Sequence, residues 1–168
     1  VLSTEYSVEG GEIMFPYDFP VGTTTVTVLV TDTHENTSEC TFDVTVEDDE
    51  APMPNCPTPD PYETDADVCY KSLTFEATPT DNCEVESTTY SVGGNPITFP
   101  YNFPTGTTMV TVLVADIHDN TVECSFNVIV EDDQLPSITC PDNITVGACD
   151  AGNVDLGIPD VSDNCGYD

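Results

Sequence analysis

The sequence predicts an all-β protein made of tandem β-sandwich modules. Three observations predict it: an internal repeat of 84 residues, strands of alternating β-branched residues between turn signals, and cysteines that recur with the repeat. The repeat is the strongest of the three. Residues 15–49 read FPYDFPVGTTTVTVLVTDTHENTSECTFDVTVEDD, and residues 99–133 read FPYNFPTGTTMVTVLVADIHDNTVECSFNVIVEDD. Of these 35 aligned positions 25 are identical, at an offset of 84 (99 − 15). Cys40 maps to Cys124 and Cys56 to Cys140 at the same offset. Cys69 matches Cys149 at 80 and Cys83 matches Cys165 at 82, so the loops around them differ in length. Residues 1–46 then read as the back half of one module, 47–130 as a whole module, and 131–168 as the front half of a third. The chain is expected to be a window, two periods long, on a longer array.

Within the whole module, residues 107–117 place Val110, Val112 and Val114 on one face and Met109, Thr111 and Leu113 on the other. That is the period of a half-buried strand. The next strand puts Cys124, Phe126, Val128 and Val130 on one face, so Cys124 points toward the core. Between them His118, Asp119, Asn120 and Thr121 form a turn of residues that tolerate left-handed backbone. Upstream, Leu73, Phe75 and Ala77 alternate in a strand predicted to end at Pro79. Pro104-Thr105-Gly106 supplies a further turn. Short strands spaced by such turns within about 80–100 residues imply an immunoglobulin-like sandwich.

Composition narrows the function. Lys71 is the only basic side chain and the formal charge is −31, a surface unsuited to phosphate backbones, so nucleic acid and anionic membranes are poor partners. No apolar run approaches the roughly 20 residues of a membrane-spanning helix. The eight cysteines contain no CxxC pair, which argues against a zinc ribbon and for disulfides in an oxidising compartment, extracellular or at the cell surface. Four cysteines per module allow three connectivities, and spacing alone does not choose among them. An enzyme is not expected: His34 and His118 sit in hairpin turns without a nucleophile placed nearby, and no phosphate-binding loop, HExxH or GxSxG occurs.

The motifs also occur in a fixed order. Cys56-Pro57 and Cys140-Pro141 follow acidic, proline-containing linkers; Asp81-Asn82-Cys83 and Asp163-Asn164-Cys165 come next. Phe-Pro-x-Gly-Thr-Thr follows at 19–24 and 103–108, and Asp-x-x-x-Asn leads to Cys-x-Phe-x-Val at 32–44 and 116–128. In this order the chain resembles the HYR (hyalin repeat) domain, an immunoglobulin-like extracellular module. The resemblance implies repeated arrays in surface adhesins and matrix proteins, and no catalysis. One departure is Glu35 and Asp119, where that family usually has glycine before the asparagine. The resemblance also implies pairing of Cys56 with Cys124, which leaves Cys69 for Cys83 and Cys149 for Cys165, with Cys40 and Cys140 bonded outside this window. An alternative joins Cys83 to Cys124 and leaves Cys69 for a bond between modules.

The acids provide the candidate ligands. The linker carries Asp48 and Asp49, the loop Asp81 and Asn82, and the hairpin turn Asp116, Asp119 and Asn120. In a sandwich of this topology the three segments meet at one pole, and together they offer the six to eight oxygens that Ca²⁺ prefers. The same site is expected to recur through Asp132, Asp133, Asp163 and Asn164, completed by Asp32 and Asn36 of an adjoining copy. Asn36 and Asn143 head glycosylation sequons. Two functions follow from the sequence: a fibril or stalk of further copies joined end to end and stiffened by calcium, or an adhesin whose loops bind a glycan or a surface protein. The near-identity of the copies favours the first.

Overall fold

The structure is a computed structural model that describes residues 2–147, 152 and 154–166. It divides into two compact units, Val1–Glu50 and Ala51–Asp168. Strands dominate both, as the period-2 patterns predict, and no helix among the described residues is long and apolar enough to cross a membrane.

The first unit is one antiparallel sheet. β1 (Ser3–Val8), β2 (Gly11–Ile13), β3 (Gly22–Thr31) and β4 (Thr37–Val46) lie in the order β2-β1-β3-β4. Val26 faces Phe42 and Val28 faces Cys40 across the β3–β4 ladder.

In the second unit, β5 (Tyr62–Glu63), β6 (Tyr70–Leu73), β7 (Val85–Val92), β8 (Asn95–Ile97), β9 (Tyr101–Pro104), β10 (Gly106–Asp116) and β11 (Thr121–Glu131) build the sandwich. The large sheet has the order β5-β11-β10-β7-β8, and β6 pairs with β9 in a second, two-stranded layer. The register repeats that of the first unit: Val110 faces Phe126 and Val112 faces Cys124. Downstream, β12 (Ser137–Thr139) and β13 (Asp160–Ser162) pair with Ser137 opposite Ser162. This pairing repeats the isolated bridge of Met53 to Thr80 one module earlier, at offsets of 84 (137 − 53) and 82 (162 − 80).

The core of this unit lies between its layers. Val110, Val112, Val114 and Val128 are fully buried on the inner face of the large sheet, while Met109 and Leu113 on the other face are 58% and 39% exposed. Phe103 and Ala77 cover the valines. Phe75 meets the rings of Phe103, Phe126, Phe99 and Tyr62 edge to face, with centroids 5.1–6.2 Å apart. Each such side chain contributes about 1.5–3 kcal/mol by leaving water.

The strand expected through Leu73, Phe75 and Ala77 is shorter than predicted, since its ladder stops at Leu73. Leu73 pairs with Tyr101, and the preceding Pro100 has no N–H with which to extend the ladder. The alternation in burial nevertheless continues to Ala77, so these side chains pack as the pattern requires without backbone pairing. Gly106, after Pro104 and Thr105, has φ of 99°, the conformation for which the turn needs glycine.

Candidate metal centre

The hairpin turn between β10 and β11 is organised by one carboxylate. Asp116 is fully buried. Its Oδ1 accepts the backbone N–H groups of His118 at 2.8 Å and Asn120 at 2.9 Å, and its Oδ2 accepts the Asn120 side-chain amide at 2.8 Å. Three donors that would otherwise lack partners in a tight turn are satisfied by this one side chain. Asp32 repeats the arrangement in the first unit, accepting from His34 N, Asn36 N and Asn36 Nδ2 at 2.7, 2.9 and 2.9 Å. The Asn36 side-chain amide, followed by the two backbone N–H groups, holds the Asp32 carboxyl below the ordinary aspartate range. Glu35 and Asp119 take φ of 67° and 68° in these turns, which explains a preference for glycine at this place.

The loop before β7 approaches this turn within the second unit. Asp81 Oδ1 accepts the N–H groups of Cys83 at 2.9 Å and Glu84 at 3.3 Å, and Ile117 N donates to Glu84 O at 3.2 Å, which ties loop to turn. One carboxylate oxygen of Asp81 lies within 4.8 Å of one of Asp116, and the Cys83 sulfur lies within 4.8 Å of a ring nitrogen of His118. Two carboxylates at that separation repel by about 1–4 kcal/mol between water-like and surface-like dielectric. Asn82 and Asp119 are exposed, and Asn120 is half-buried. Asp48 and Asp49 fall in the first unit, where Asp48 Oδ1 accepts Glu50 N at 3.3 Å.

A second acidic group gathers in the second unit around Asp132 and Asp163. Asp163 Oδ1 accepts Cys165 N at 2.9 Å, the same turn that Asp81 makes. Asn164 Nδ2 donates to Asp132 Oδ1 at 3.0 Å and to Val68 O at 3.2 Å, while Asn164 Oδ1 is buried without a hydrogen-bond partner. Asp133 is exposed. Two residues absent from the sequence reading belong here. Gln134 Nε2 donates to Thr64 Oγ1 and Asp65 O, both at 3.1 Å, and Thr64 Oγ1 reaches Asp132 Oδ1 at 3.4 Å. A neutral glutamine just outside the 35-residue identity carried no signal for this role. Lys71 is ion-paired with Asp65 at 2.9 Å and, with the Ser72 N–H, holds that carboxyl below its ordinary range.

The disulfides correct one expectation. Cys56 bonds Cys124, as the resemblance implies. Cys69, however, bonds Cys165 and neither Cys69–Cys83 nor Cys149–Cys165 forms. Cys69 ends the turn that leads into β6, and this turn is held to the 163–165 segment by the Asn164 bond to Val68 O, which brings the two sulfurs together. The alternative Cys83–Cys124 pairing is likewise excluded, because Cys124 bonds Cys56. Cys83 is half-buried, with its N–H on Asp81, and Cys149 lies outside the described residues. Cys40 and Cys140 are exposed thiols. Of the two sequons, Asn143 is exposed, whereas the Asn36 amide that a glycan would occupy donates to Asp32.

Comparison with known proteins agrees with the motifs and the fold. The chain is 30% identical over 138 residues to hyalin of Strongylocentrotus purpuratus, a match that covers 75% of this chain and 11% of hyalin. The chain therefore spans about a tenth of that relative's length. The HYR domain family model matches residues 16–46, the segment holding β3, β4 and the Asp32 turn. Residues 16–46 thus match the HYR domain, and the longer likeness to hyalin extends over most of the chain.

Proposed function

We propose that this chain is a non-catalytic, extracellular or cell-surface structural repeat, part of a fibril or stalk of β-sandwich modules. In this reading disulfides staple the modules and calcium stiffens them. The observation that carries the proposal is the Cys69–Cys165 bridge, which spans 96 residues and ties the complete repeat to the segment that begins the next one. A covalent tie across a repeat boundary suits a load-bearing array better than a set of independent binding modules. Likeness to hyalin, itself matched over only 11% of its length, is in keeping with an extracellular repeat protein.

Calcium is the cation that the acidic groups fit best. Asp81 and Asp116 present oxygens within 4.8 Å of each other in a chain of charge −31, and Asn164 Oδ1 is a buried amide oxygen with no donor. Hard oxygen ligands of this kind suit Ca²⁺. Asp81, Asn82, Asp116 and Asn120 would serve at the hairpin pole, and Asp132, Asp163 and Asn164 at the repeat boundary. The test is calorimetry with calcium and with EDTA. Calcium at a hundredfold excess over Kd is expected to add about 2.7 kcal/mol per site, and Asp81→Asn with Asp116→Asn is expected to abolish the hairpin-pole share. An unchanged melting temperature would reduce these acids to turn-forming residues.

A further inference from the structure

The two copies of the repeated strand pair differ most on their outward face, the side of the sheet turned away from the core. Six positions differ between β3–β4 and β10–β11, and five of them point outward: Thr25 and Met109, Thr31 and Ala115, Thr41 and Ser125, Asp43 and Asn127, Thr45 and Ile129. Three of these exchanges put an apolar residue where the first copy has threonine, and one removes a carboxylate. The neighbouring strand follows the same trend. Glu5 faces Leu29 in the first sheet, whereas Thr89, 84 residues on (89 − 5), faces Leu113 in the second. Along the ladders of β1, β3 and β4 the outward residues include Glu5, Glu39 and Asp43; along those of β7, β10 and β11 the only outward acid is Glu123. Glu63 and Glu131 lie paired at the sheet edge.

The exchanges also change how the face is satisfied. In the first sheet Thr25 Oγ1 donates to Asp43 Oδ1 at 2.7 Å, and the Thr23 and Thr45 hydroxyls lie 3.2 Å apart. In the second sheet, in the same register, Met109 stands opposite Asn127 and Ile129 opposite Thr107. Met109 is 58% exposed and Leu113 39% exposed. A groove of about 460 Å³ runs beside Met109, lined in part by Pro57, Pro59, Ser125 and Asn127, and no charged residue lines it. This face belongs wholly to the complete repeat, residues 47–130, and lies on the side of the large sheet away from its buried valines. Its exposure is therefore a property of the sandwich itself.

We propose that the outward face of β10 and β11, centred on Met109 and Leu113, is a docking surface for the same face of a second copy of this chain. Charge selects the occupant. A basic partner would be held better by the more acidic face of the first sheet. A chain with 32 acidic and one basic residue meets its own copy most cheaply where carboxylates are sparse. Two such faces related by a two-fold axis present each Met109 to the groove of the other, with Glu63 and Glu131 left at the rim. Burial of the apolar side chains drives the contact, and an isologous contact closes at two copies. It joins modules side to side, and depends neither on calcium nor on the end-to-end array proposed above.

The experiment uses the full 168-residue chain with its thiols capped and in EDTA, so that neither disulfide exchange nor calcium contributes. Mass is followed by sedimentation equilibrium against protein concentration, at low and at high sodium chloride. The expected result is a reversible monomer–dimer equilibrium of the 18.1 kDa chain, tighter at high salt, where repulsion between the copies is screened. Met109→Thr with Asn127→Asp and Ile129→Thr gives β10 and β11 the residues that β3 and β4 hold in the same ladder, so folding is retained. That variant is expected to weaken the dimer at least about tenfold. The reverse exchange, Glu5→Thr with Thr25→Met, Asp43→Asn and Thr45→Ile, is expected to create a second docking face and carry association beyond the dimer. A chain that stays monomeric at every concentration and salt, leaving the face to a glycan or a different protein, overturns the proposal. So does a Met109, Asn127 and Ile129 variant that dimerises as tightly as its parent. Melting with and without calcium is read separately on the uncapped chain, so failure of the side-to-side contact and failure of the calcium reading are told apart.

Discussion

The strand pairs β3–β4 and β10–β11 are almost the same sequence in two environments. Both form the same ladder, with Val26 opposite Phe42 in one and Val110 opposite Phe126 in the other. Both end in a turn held by an aspartate that accepts two backbone N–H groups and an asparagine amide. Phe126 is 7% exposed, whereas Phe42 is 47% exposed. Local sequence therefore suffices for strand, register and turn. Burial, and with it most of the stability, depends on which segment lies across the face.

Truncating the two phenylalanines breaks the comparison most sharply. Phe126→Ala is expected to destabilise the second unit by about 3–5 kcal/mol, since it opens a cavity among Phe75, Val110 and Val128. Phe42→Ala is expected to cost about 1 kcal/mol or less, because half of its surface is already wet. Urea unfolding of the two variants measures both losses. Equal losses would mean that the first face is as well packed as the second.

The second contrast concerns the bridge across the repeat boundary. Cys69–Cys165 encloses 96 residues and interlocks with Cys56–Cys124, which encloses 68. A pull between Cys56 and Cys165 therefore runs along only 13 residues (69 − 56) before crossing the bridge. Reduction is expected to lengthen the force-unfolded second unit by about 330 Å, at roughly 3.4 Å for each residue of the 96-residue span. Cys69→Ser with Cys165→Ser is expected to cost about 2–4 kcal/mol at equilibrium. Single-molecule extension before and after reduction reads the first figure. An oxidised unit that extends as far as the reduced one would exclude the connectivity.

The repeat made most of this fold legible. An offset of 84, together with alternation in Val110, Val112 and Val114, was enough to place strands, turns and the buried face. The Cys69 partner was not legible, because the cysteines at 83 and 165 occupy equivalent positions, in the turns formed by Asp81 and Asp163. Spacing cannot say which of two equivalents, one module apart, a sulfur reaches. The Phe75 segment was legible in burial but not in backbone pairing, since Pro100 acts on the partner strand, far away in sequence. The approach of Asp81 to Asp116 follows from sandwich topology and was anticipated. Thr64 and Gln134 were not, because neutral side chains acquire their roles at the boundary only once the chain has folded.

The smallest expected effect is electrostatic and is read at low pH. Asp32 has its carboxyl depressed below the ordinary 3.8, first by the Asn36 amide and then by the backbone N–H groups of Asn36 and His34. A group whose folded pKa lies below its unfolded value contributes stability that is present above 3.8 and is lost as pH falls through the lower, folded value. The turn of the first unit is therefore expected to keep its full stability near neutrality and to loosen only below about pH 4. Asp32→Asn would remove that dependence and lose the charge-assisted bonds at every pH. Amide exchange at His34 and Asn36, followed from pH 6 to pH 2, checks the window. Protection that is lost well above pH 4 would show that some group other than Asp32 holds the turn.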